Sequence, residues 1–409
     1  MTAAPAAEGG RHGRNQRAGN HVQPAELRGA ALQREPRRHP LLSAIGGLTG
    51  GEEVKSTEFE WQTSDLRAPE ENRSRLEGAA AQNSDQRVRA NVTNVVEIHQ
   101  ETVEVSYTKQ AATGQTSGTN NEQTNPVQAE LPWQIQQALK AKATDIEASF
   151  ILGQYQKPAD NTTPRKTRGI LAAITTNVID LGAATRSVSA ATDTITDTAT
   201  PLLNGDAVRF TSVGASTTLK ANRVYYVVAQ TTNAFKVASV PNGTPINIGT
   251  ATVSVSKLAT TAPNKNTYDG LFQMVFDNGG MRESATQTIV VGSTQKRQLS
   301  AAYAAAYGKY QESSREVGGV NFTTITSDFG TFNIMLDRWM PADTVAVLSL
   351  EQLIPKFLRI PDKGHFFEEP LAKVGASDRV QIYGEIGLQY GNEKAHGVLR
   401  GLSVSVPNA

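Results

Sequence analysis

Between Gly51 and Pro126 the chain carries only thirteen apolar side chains larger than alanine, too few to enclose a core. The same stretch nevertheless keeps the two-residue alternation of strands, in Thr57-Glu58-Phe59-Glu60-Trp61 and in Thr102-Val103-Glu104-Val105-Ser106. A segment that stays disordered has no use for such patterning. A patterned arm without a core of its own must borrow one from a neighbouring chain. The reading is therefore an assembly subunit rather than a free enzyme. Glu58 to Gln62 reads as an outgoing strand, and Val92 to Ile98 and Thr102 to Tyr107 as returning ones. Asp65 to Gln82 forms the polar tip between them, broken at Pro69 and Gly78.

The rest of the composition narrows the class by exclusion. At 409 residues the chain has room for two or three domains. Forty basic residues face thirty-nine acidic ones, so no global field favours nucleic acid or acidic partners. The absence of cysteine excludes disulfides and thiolate metal sites. No apolar run approaches the roughly 18 residues of a membrane span, and no signal-peptide core is visible at the start. Residues 1–39 read as unfolded in isolation, with arginine at 11, 14, 17, 28, 34, 37 and 38 against Glu8, Glu26 and Glu35. This tail is either an internal arm touching packaged nucleic acid, through Arg11, Arg14, Arg17, Arg28, Arg37 and Arg38, or a solvated extension. His39-Pro40-Leu41-Leu42 then begins a short apolar anchor that ends at Gly46-Gly47.

Leu131-Pro132-Trp133 opens the clearest helix, with Pro132 in the first turn where a missing N–H costs little. Leu131, Ile135, Ala138, Leu139, Lys142, Ile146 and Phe150 recur at three- and four-residue steps, while Gln134, Gln137, Lys140, Asp145 and Glu147 fall off that stripe. Gly153 is a natural stop, giving a rod of roughly 33 Å. From Arg186 to Ala262 the character turns all-β. Strands are expected at Asp206–Ser212, Arg223–Gln230, Ala234–Ser239, Pro245–Ile248 and Thr252–Lys257, as a small sandwich or barrel between flexible flanks at 187–200 and 259–267. Beyond it, helices are expected at Tyr268–Phe276 and Thr294–Ala306. Strands are expected at Gln287–Val291, Val320–Thr326, Thr331–Leu336, Thr344–Leu350, Arg379–Gln389 and His396–Leu402.

Reactive constellations are missing. There is no phosphate loop, no Gly-x-Ser-x-Gly elbow and no His-Glu-x-x-His. His365 and Glu368 make at most an incomplete metal site, in a stretch broken by Pro361, Gly364 and Pro370. Glu97 and His99 share a strand face as an ordinary polar pair. Asp145 and Glu147, two apart on a helix, diverge and cannot share a substrate; ion pairs with Arg165, Lys166 or Arg168 are expected instead. Tyr225-Tyr226 places one ring in the β module's core and one outside, where it either stacks on a glycan or simply supports the strand. Neither an enzymatic activity nor a cofactor is expected.

In order and spacing, several short motifs resemble the major capsid proteins of tailed bacteriophages, in a subgroup whose members are sometimes labelled major tail proteins. They are His39-Pro40-Leu41-Leu42-Ser43, Phe59-Glu60-Trp61-Gln62 with Asp65-Leu66 and Pro69, Glu77-Gly78-Ala79, Asn91-Val92-Thr93, Val105-Ser106 and Asp145-Ile146-Glu147. Arg168-Gly169-Ile170-Leu171 and Gly384-Glu385-Ile386-Gly387-Leu388, with Asn392 and Gly397, continue the series; the whole spans about 39–180 and 265–402. Gly205-Asp206-Ala207-Val208-Arg209-Phe210 and Tyr225-Tyr226-Val227-Val228 resemble a widespread phage β element.

The resemblance implies an α+β chain of the Hong Kong 97 capsid fold. Its parts would be an N-terminal arm (1–54), an extended loop (55–90), a peripheral domain (91–164) with a spine helix (131–153), and an axial domain (165–185 and 263–380). An all-β domain, an Ig-like sandwich or small barrel, would be inserted at 186–262, and C-terminal strands (381–409) would return to the peripheral domain. It further implies hexamers and pentamers of identical copies around double-stranded DNA held without sequence specificity. Portal, scaffold and decoration proteins would be the other partners, and no membrane; synthesis would be in the host bacterial cytoplasm and residence in the virion shell. Phe59, Trp61 and Leu66 are the expected contacts on the neighbouring subunit, with packing inside the loop's own hairpin as the alternative. Some relatives crosslink lysine to asparagine; Lys55 and Lys109 are present, no acceptor is identifiable, and no crosslink is expected. A tail-tube protein is one rival, opposed by the long helix. A receptor- or glycan-binding protein acting through the β module is another.

Overall fold

The computed structural model describes residues 38–67, 69, 74–81, 88–111, 130–197, 202–281, 287–307, 313–317 and 320–405. The organising strand is Ser377–Gln389. One edge pairs antiparallel with Glu97–Ser106 over its whole length, from Ser377 opposite Ser106 to Ile386 opposite Glu97. The other edge is shared end to end by Phe366–Pro370 and Ile354–Leu358, and Glu52–Val54 adds to the latter in parallel. Along Glu97–Ser106 the inward positions include His99, Val103 and Val105, while Ile98, Gln100, Thr102 and Glu104 are exposed on the other face. That is the alternation expected from sequence.

The helix Glu130–Leu152 packs across this five-stranded sheet. Ile135, Ala138 and Leu139 meet Val103, Val105, Val380 and Ile382, and Ile146, Phe150 and Ile151 enter the main core. One position departs from the expected stripe: Glu147 is fully buried. A helical-wheel reading places every carboxylate outside, and only a tertiary partner brings one in.

A seven-stranded sheet runs in the order 313–317, 320–327, 330–336, 287–291, 345–349, 397–400 and 178–180. Helices Lys265–Asp277 and Ser293–Tyr307 cover it through Tyr268, Leu271, Phe272, Leu299 and Tyr303. Two expectations about domain limits need correction. The boundary placed at 380/381 falls inside the continuous strand Ser377–Gln389, and residues 354–370 pair with that strand rather than with the seven-stranded sheet. Backbone pairing, invisible in composition, decides both.

The β module is a closed barrel, not a sandwich: strands 234–238, 194–196, 186–191, 251–257, 207–212 and 224–228 follow one another around it. Its core is lined by Val188, Ile195, Phe210, Tyr225, Phe235 and Val253 among others. The stretch from 187 expected as a flexible flank supplies strands Arg186–Ala191 and Thr194–Thr196, whose Val188, Ala190 and Ile195 point inward while the serines and threonines face out. Small side chains concealed that period. Pro245–Ile248, expected as a strand, is irregular chain held by Ile246 N–H to Val237 O and Ile248 N–H to Thr192 O.

Two buried histidines fix the ionisation behaviour of this core. His396 is fully buried; its Nδ1 accepts Ser349 N–H at 3.2 Å and its Nε2–H donates to Tyr390 O at 2.8 Å, which requires the neutral ring. Burial pushes both His396 and His99 down to about 4. A depressed histidine leaves its stability intact above 6.5 and surrenders it as pH falls through the folded value, since the unfolded chain binds the proton first. For His396 the shift corresponds to about 3 kcal/mol. Urea titrations at pH 7 and pH 4.5 should therefore show the chain losing about 2–3 kcal/mol more on acidification than a His396→Asn variant.

Candidate assembly surface

The strands Glu58–Thr63 and Ala90–Val95 form a two-stranded hairpin base, with Trp61 opposite Val92. Glu58, Glu60 and Gln62 take the outer face; Phe59 and Trp61 take the inner one and are buried. Trp61 Nε1–H donates to Gly391 O at 2.8 Å, and its ring meets Tyr390 edge-on, 4.9 Å between centroids, and stacks on Phe59 at 5.9 Å. Phe59 lies so close to Gly387 that a Cβ there would come within 2.7 Å of its ring. Phe59 and Trp61 are thus buried inside their own chain, against the C-terminal strand. Even the alternative, packing within the hairpin alone, understates their reach.

Leu66 differs from them. The chain is pinned just before it, by Lys394 Nζ to Asp65 Oδ2 at 2.6 Å and Asn392 Nδ2 to Ser64 O at 3.3 Å. The hydrogen bond from Lys394 holds the Asp65 carboxyl below its usual range. Leu66 itself is 62% exposed, and farther along the loop Leu76 and Val88 are 86% and 89% exposed. Three large apolar side chains therefore stand in solvent on a loop whose base is bolted to the body.

The N-terminal anchor is the second element. In the short helix Pro40–Ala44, Leu41 and Leu42 have no exposure at all. Their amides, which a helix start leaves without intrahelical acceptors, donate to the two oxygens of Glu147 at 2.8 and 2.6 Å. Asp337 is hydrogen-bonded to Glu147 and accepts Trp339 N–H at 2.8 Å, while Trp339 Nε1–H donates to Arg38 O at 3.0 Å. Glu147 is therefore an internal clasp, not a surface ion pair. The partners expected for the 145/147 carboxylates lie elsewhere. Asp145 pairs with Lys142 at 3.0 Å, Arg165 with Glu385 at 2.8 Å, and Arg168 stacks over Tyr155 and donates to Tyr390 OH.

The barrel is joined to the body by one buried cation. Arg209, on strand Ala207–Ser212 and only 1% exposed, donates to Asp343 Oδ2 at 2.8 Å and Asp180 Oδ2 at 3.0 Å. Arg400 donates to the same Asp180 oxygen at 2.8 Å. Burial raises the Asp343 carboxyl and Arg209 pulls it back. The backbones also interlock, through Ala183 N–H to Lys257 O and Ala259 N–H to Gly401 O. At Gly182 a Cβ would lie 2.8 Å from Ser256 Oγ, so any larger residue there would have to displace that hydroxyl from its bond to Ala183 O. Sequence reading quoted Arg209 only inside a motif. An arginine in a strand between Val208 and Phe210, where the period points it away from the barrel core, was the available signal.

Of the other expected sites, Arg11, Arg14, Arg17, Arg28 and Arg37 lie outside the described residues, as does the 1–37 tail. Arg38 is exposed. Among the described residues no group of three His, Asp or Glu side chains could hold a metal. His365 instead faces Glu53 at 3.4 Å. Glu97 and His99 both point inward, and Glu97 accepts Thr167 N–H. Tyr225 lies in the barrel core with its hydroxyl accepting Lys220 N–H, while Tyr226 is half-buried outside. Lys109 pairs with Glu130 at 2.7 Å. No described helix is long and apolar enough to cross a membrane.

A family model described as SU10 major capsid protein matches residues 14–403. A protein named Major capsid protein, from Escherichia phage Phieco32, is 24% identical over 379 residues, covering 89% of this chain and 90% of that one. Among solved structures, the capsid asymmetric unit of cyanophage A-1(L) aligns with a TM-score of 0.50 at 10% identity, over 88% of this chain and 93% of that chain. At that identity the likeness speaks for the fold.

Two substitutions separate these internal anchors from the exposed loop. Trp61→Ala should destabilise the isolated chain by about 3 kcal/mol in denaturant titration, as truncation of a buried aromatic does. Arg209→Ala should cost about 3–5 kcal/mol, because it leaves the buried Asp343 uncompensated. Adding Asp343→Ala to it should recover most of that loss.

Proposed function

The chain belongs to the SU10 major capsid protein family and is a major capsid protein of a tailed phage; from that premise we propose how its parts meet in the shell. Copies associate as hexamers and pentamers of an icosahedral head around double-stranded DNA, and the loop of about 55–90 lies across an adjoining copy. The observation that carries this reading is the trio Leu66, Leu76 and Val88, uncovered in the single chain on a loop whose base is fixed by Trp61 and Asp65. Burying three such side chains on a neighbour contributes about 1.5–3 kcal/mol each before ordering costs. Repetition around a ring multiplies modest contacts.

In this arrangement the helix Glu130–Leu152 is the spine of the peripheral domain, and the seven-stranded sheet forms the axial domain. The barrel is an insertion that leaves the shell contacts to the rest of the chain. Arg38 and the arginines before it face the packaged DNA through phosphate contacts without sequence readout. Portal, scaffold and decoration proteins are further partners, synthesis is in the host cytoplasm, and the role is structural. The tail-tube alternative has no support from the family match.

Electron microscopy of the purified recombinant chain tests the reading: closed shells are expected, and tubes or monomers at assembly concentrations would overturn it. Leu66→Asp combined with Val88→Asp should abolish or strongly weaken shells while circular dichroism and the unfolding midpoint stay near the parent's. An unfolded double variant would instead place these side chains in the chain's own core. Replacing 187–262 by a Gly/Ser linker together with Asp343→Ala, which removes the charge Arg209 would no longer neutralise, should still give particles. Loss of particles would make the barrel a structural part of the shell.

A further inference from the structure

Glu147 and Asp337 place two carboxyls in contact inside the core, joining three segments distant in sequence. Glu147 comes from the long helix, Asp337 from the turn after strand Gly330–Leu336, and Leu41 and Leu42 from the N-terminal segment. Neither carboxyl has a lysine or arginine partner among the described residues. Asp337 Oδ1 accepts Trp339 N–H at 2.8 Å and the Met340 amide also points at this carboxyl, but its buried Oδ2 has no partner at hydrogen-bond geometry among the described residues. A carboxyl proton on Glu147 can satisfy that oxygen. A protonated Glu147 can donate it to Asp337 while its oxygens still accept the amides of Leu41 and Leu42.

We propose that Glu147 and Asp337 form a proton-operated latch that holds the N-terminal segment 38–48 on the body of the chain and releases it when their shared proton is lost. With the proton in place, each side of the pair also grips the arriving segment. Glu147 takes two of its amides, and the turn carrying Asp337 takes its Arg38 carbonyl through Trp339. Without the proton, two carboxylates oppose each other in a buried site, and no cation among the described residues offsets them.

The neighbouring ionisable groups do not supply one. On the N-terminal side His39 is turned to Ser43, Nδ1 to Oγ at 2.8 Å, and the exposed Arg38 contributes its carbonyl. On the helix, Lys142 is held by Glu101 and Asp145 on another face. In the turn, Arg338 is exposed and Asp343 is paired with Arg209. Burial, and then the charge of Asp337, hold the Glu147 carboxyl well above the ordinary carboxylate range. A raised carboxyl contributes its full stability below about 4.5 and loses it as pH rises through the folded value. His99 and His396 act in the opposite sense and at lower pH. A local readout is therefore needed.

Hydrogen exchange of the full chain, followed by mass spectrometry from pH 5 to 9 and corrected for intrinsic rates, supplies it. Peptides covering 39–48 should lose protection by up to about tenfold per pH unit above the Glu147 transition, the slope of a single proton. Peptides covering strand Val345–Ser349 should not follow. In Glu147→Gln and in Asp337→Asn the slope for 39–48 should vanish, because each replaces the proton-sharing pair with one that does not titrate against itself. A flat profile in the parent chain would overturn the latch. So would an equal slope in the control strand, or an unchanged slope in either variant that folds.

Discussion

Ten residues of backbone in Glu97–Ser106 have nowhere to place half of their hydrogen bonds until Ser377–Gln389 arrives from the far end of the chain. That single pairing governs the rest. A buried N–H or C=O left without a partner costs as much as a lost hydrogen bond, so the arm cannot settle before the C-terminal strand does. Once it has, the opposite edge of Ser377–Gln389 recruits Phe366–Pro370 and Ile354–Leu358, and Glu52–Val54 closes the sheet. The long helix then has a surface to bury Ile135, Ala138 and Leu139 against. Contacts of such sequence separation form slowly, because loop closure is opposed by chain entropy before any pairing compensates it.

The segments that meet on this frame are held by buried polar side chains as much as by apolar packing. Asn94 has no exposure and donates to Leu388 O at 2.7 Å and Arg168 O at 3.2 Å while accepting Arg168 N–H at 2.8 Å. Asn177 binds the carbonyls of Lys394 and His396 in the same manner. Glu147 does this for the N-terminal segment and Arg209 for the barrel. Apolar contact is indifferent to small shifts of register. A buried amide or guanidinium is satisfied in one placement only, so these residues select a single docking geometry for elements that could otherwise slide.

Much of the secondary structure was legible in the sequence, because burial periods survive in it. Glu58–Thr63, Glu130–Leu152 and Ser293–Tyr307 carry their pattern in apolar spacing, and Gln287–Val291 in a short apolar run. Strands Arg186–Ala191 and Thr194–Thr196 were missed because alanine, serine and threonine differ too little in polarity to mark an inside and an outside. The intrachain packing of the loop's aromatic residues was not visible in the sequence. Phe59 and Trp61 look from sequence like anchors on offer, and nothing local reveals that Gly387, by lacking a side chain, makes room for Phe59 in the same chain. Glu147 was hidden for the same reason: a buried carboxyl is recognisable only beside its partners, and Leu41, Leu42 and Asp337 are remote in sequence.

A chain that must meet copies of itself under more than one local symmetry needs a rigid body and adaptable extremities, and the distribution of side chains here follows that division. Trp61, Asp65 and Asn392 fasten the loop at its root, just before the exposed Leu66. The apolar residues farther out, Leu76 and Val88, are single side chains separated by polar ones. Side chains spaced this way do not make a continuous apolar patch, whereas a loop of contiguous leucines would promote aggregation before assembly. The arm noted at the start as too poor in apolar residues to fold alone is therefore divided in function. Its root is satisfied within the chain, while Leu66, Leu76 and Val88 farther out stand exposed.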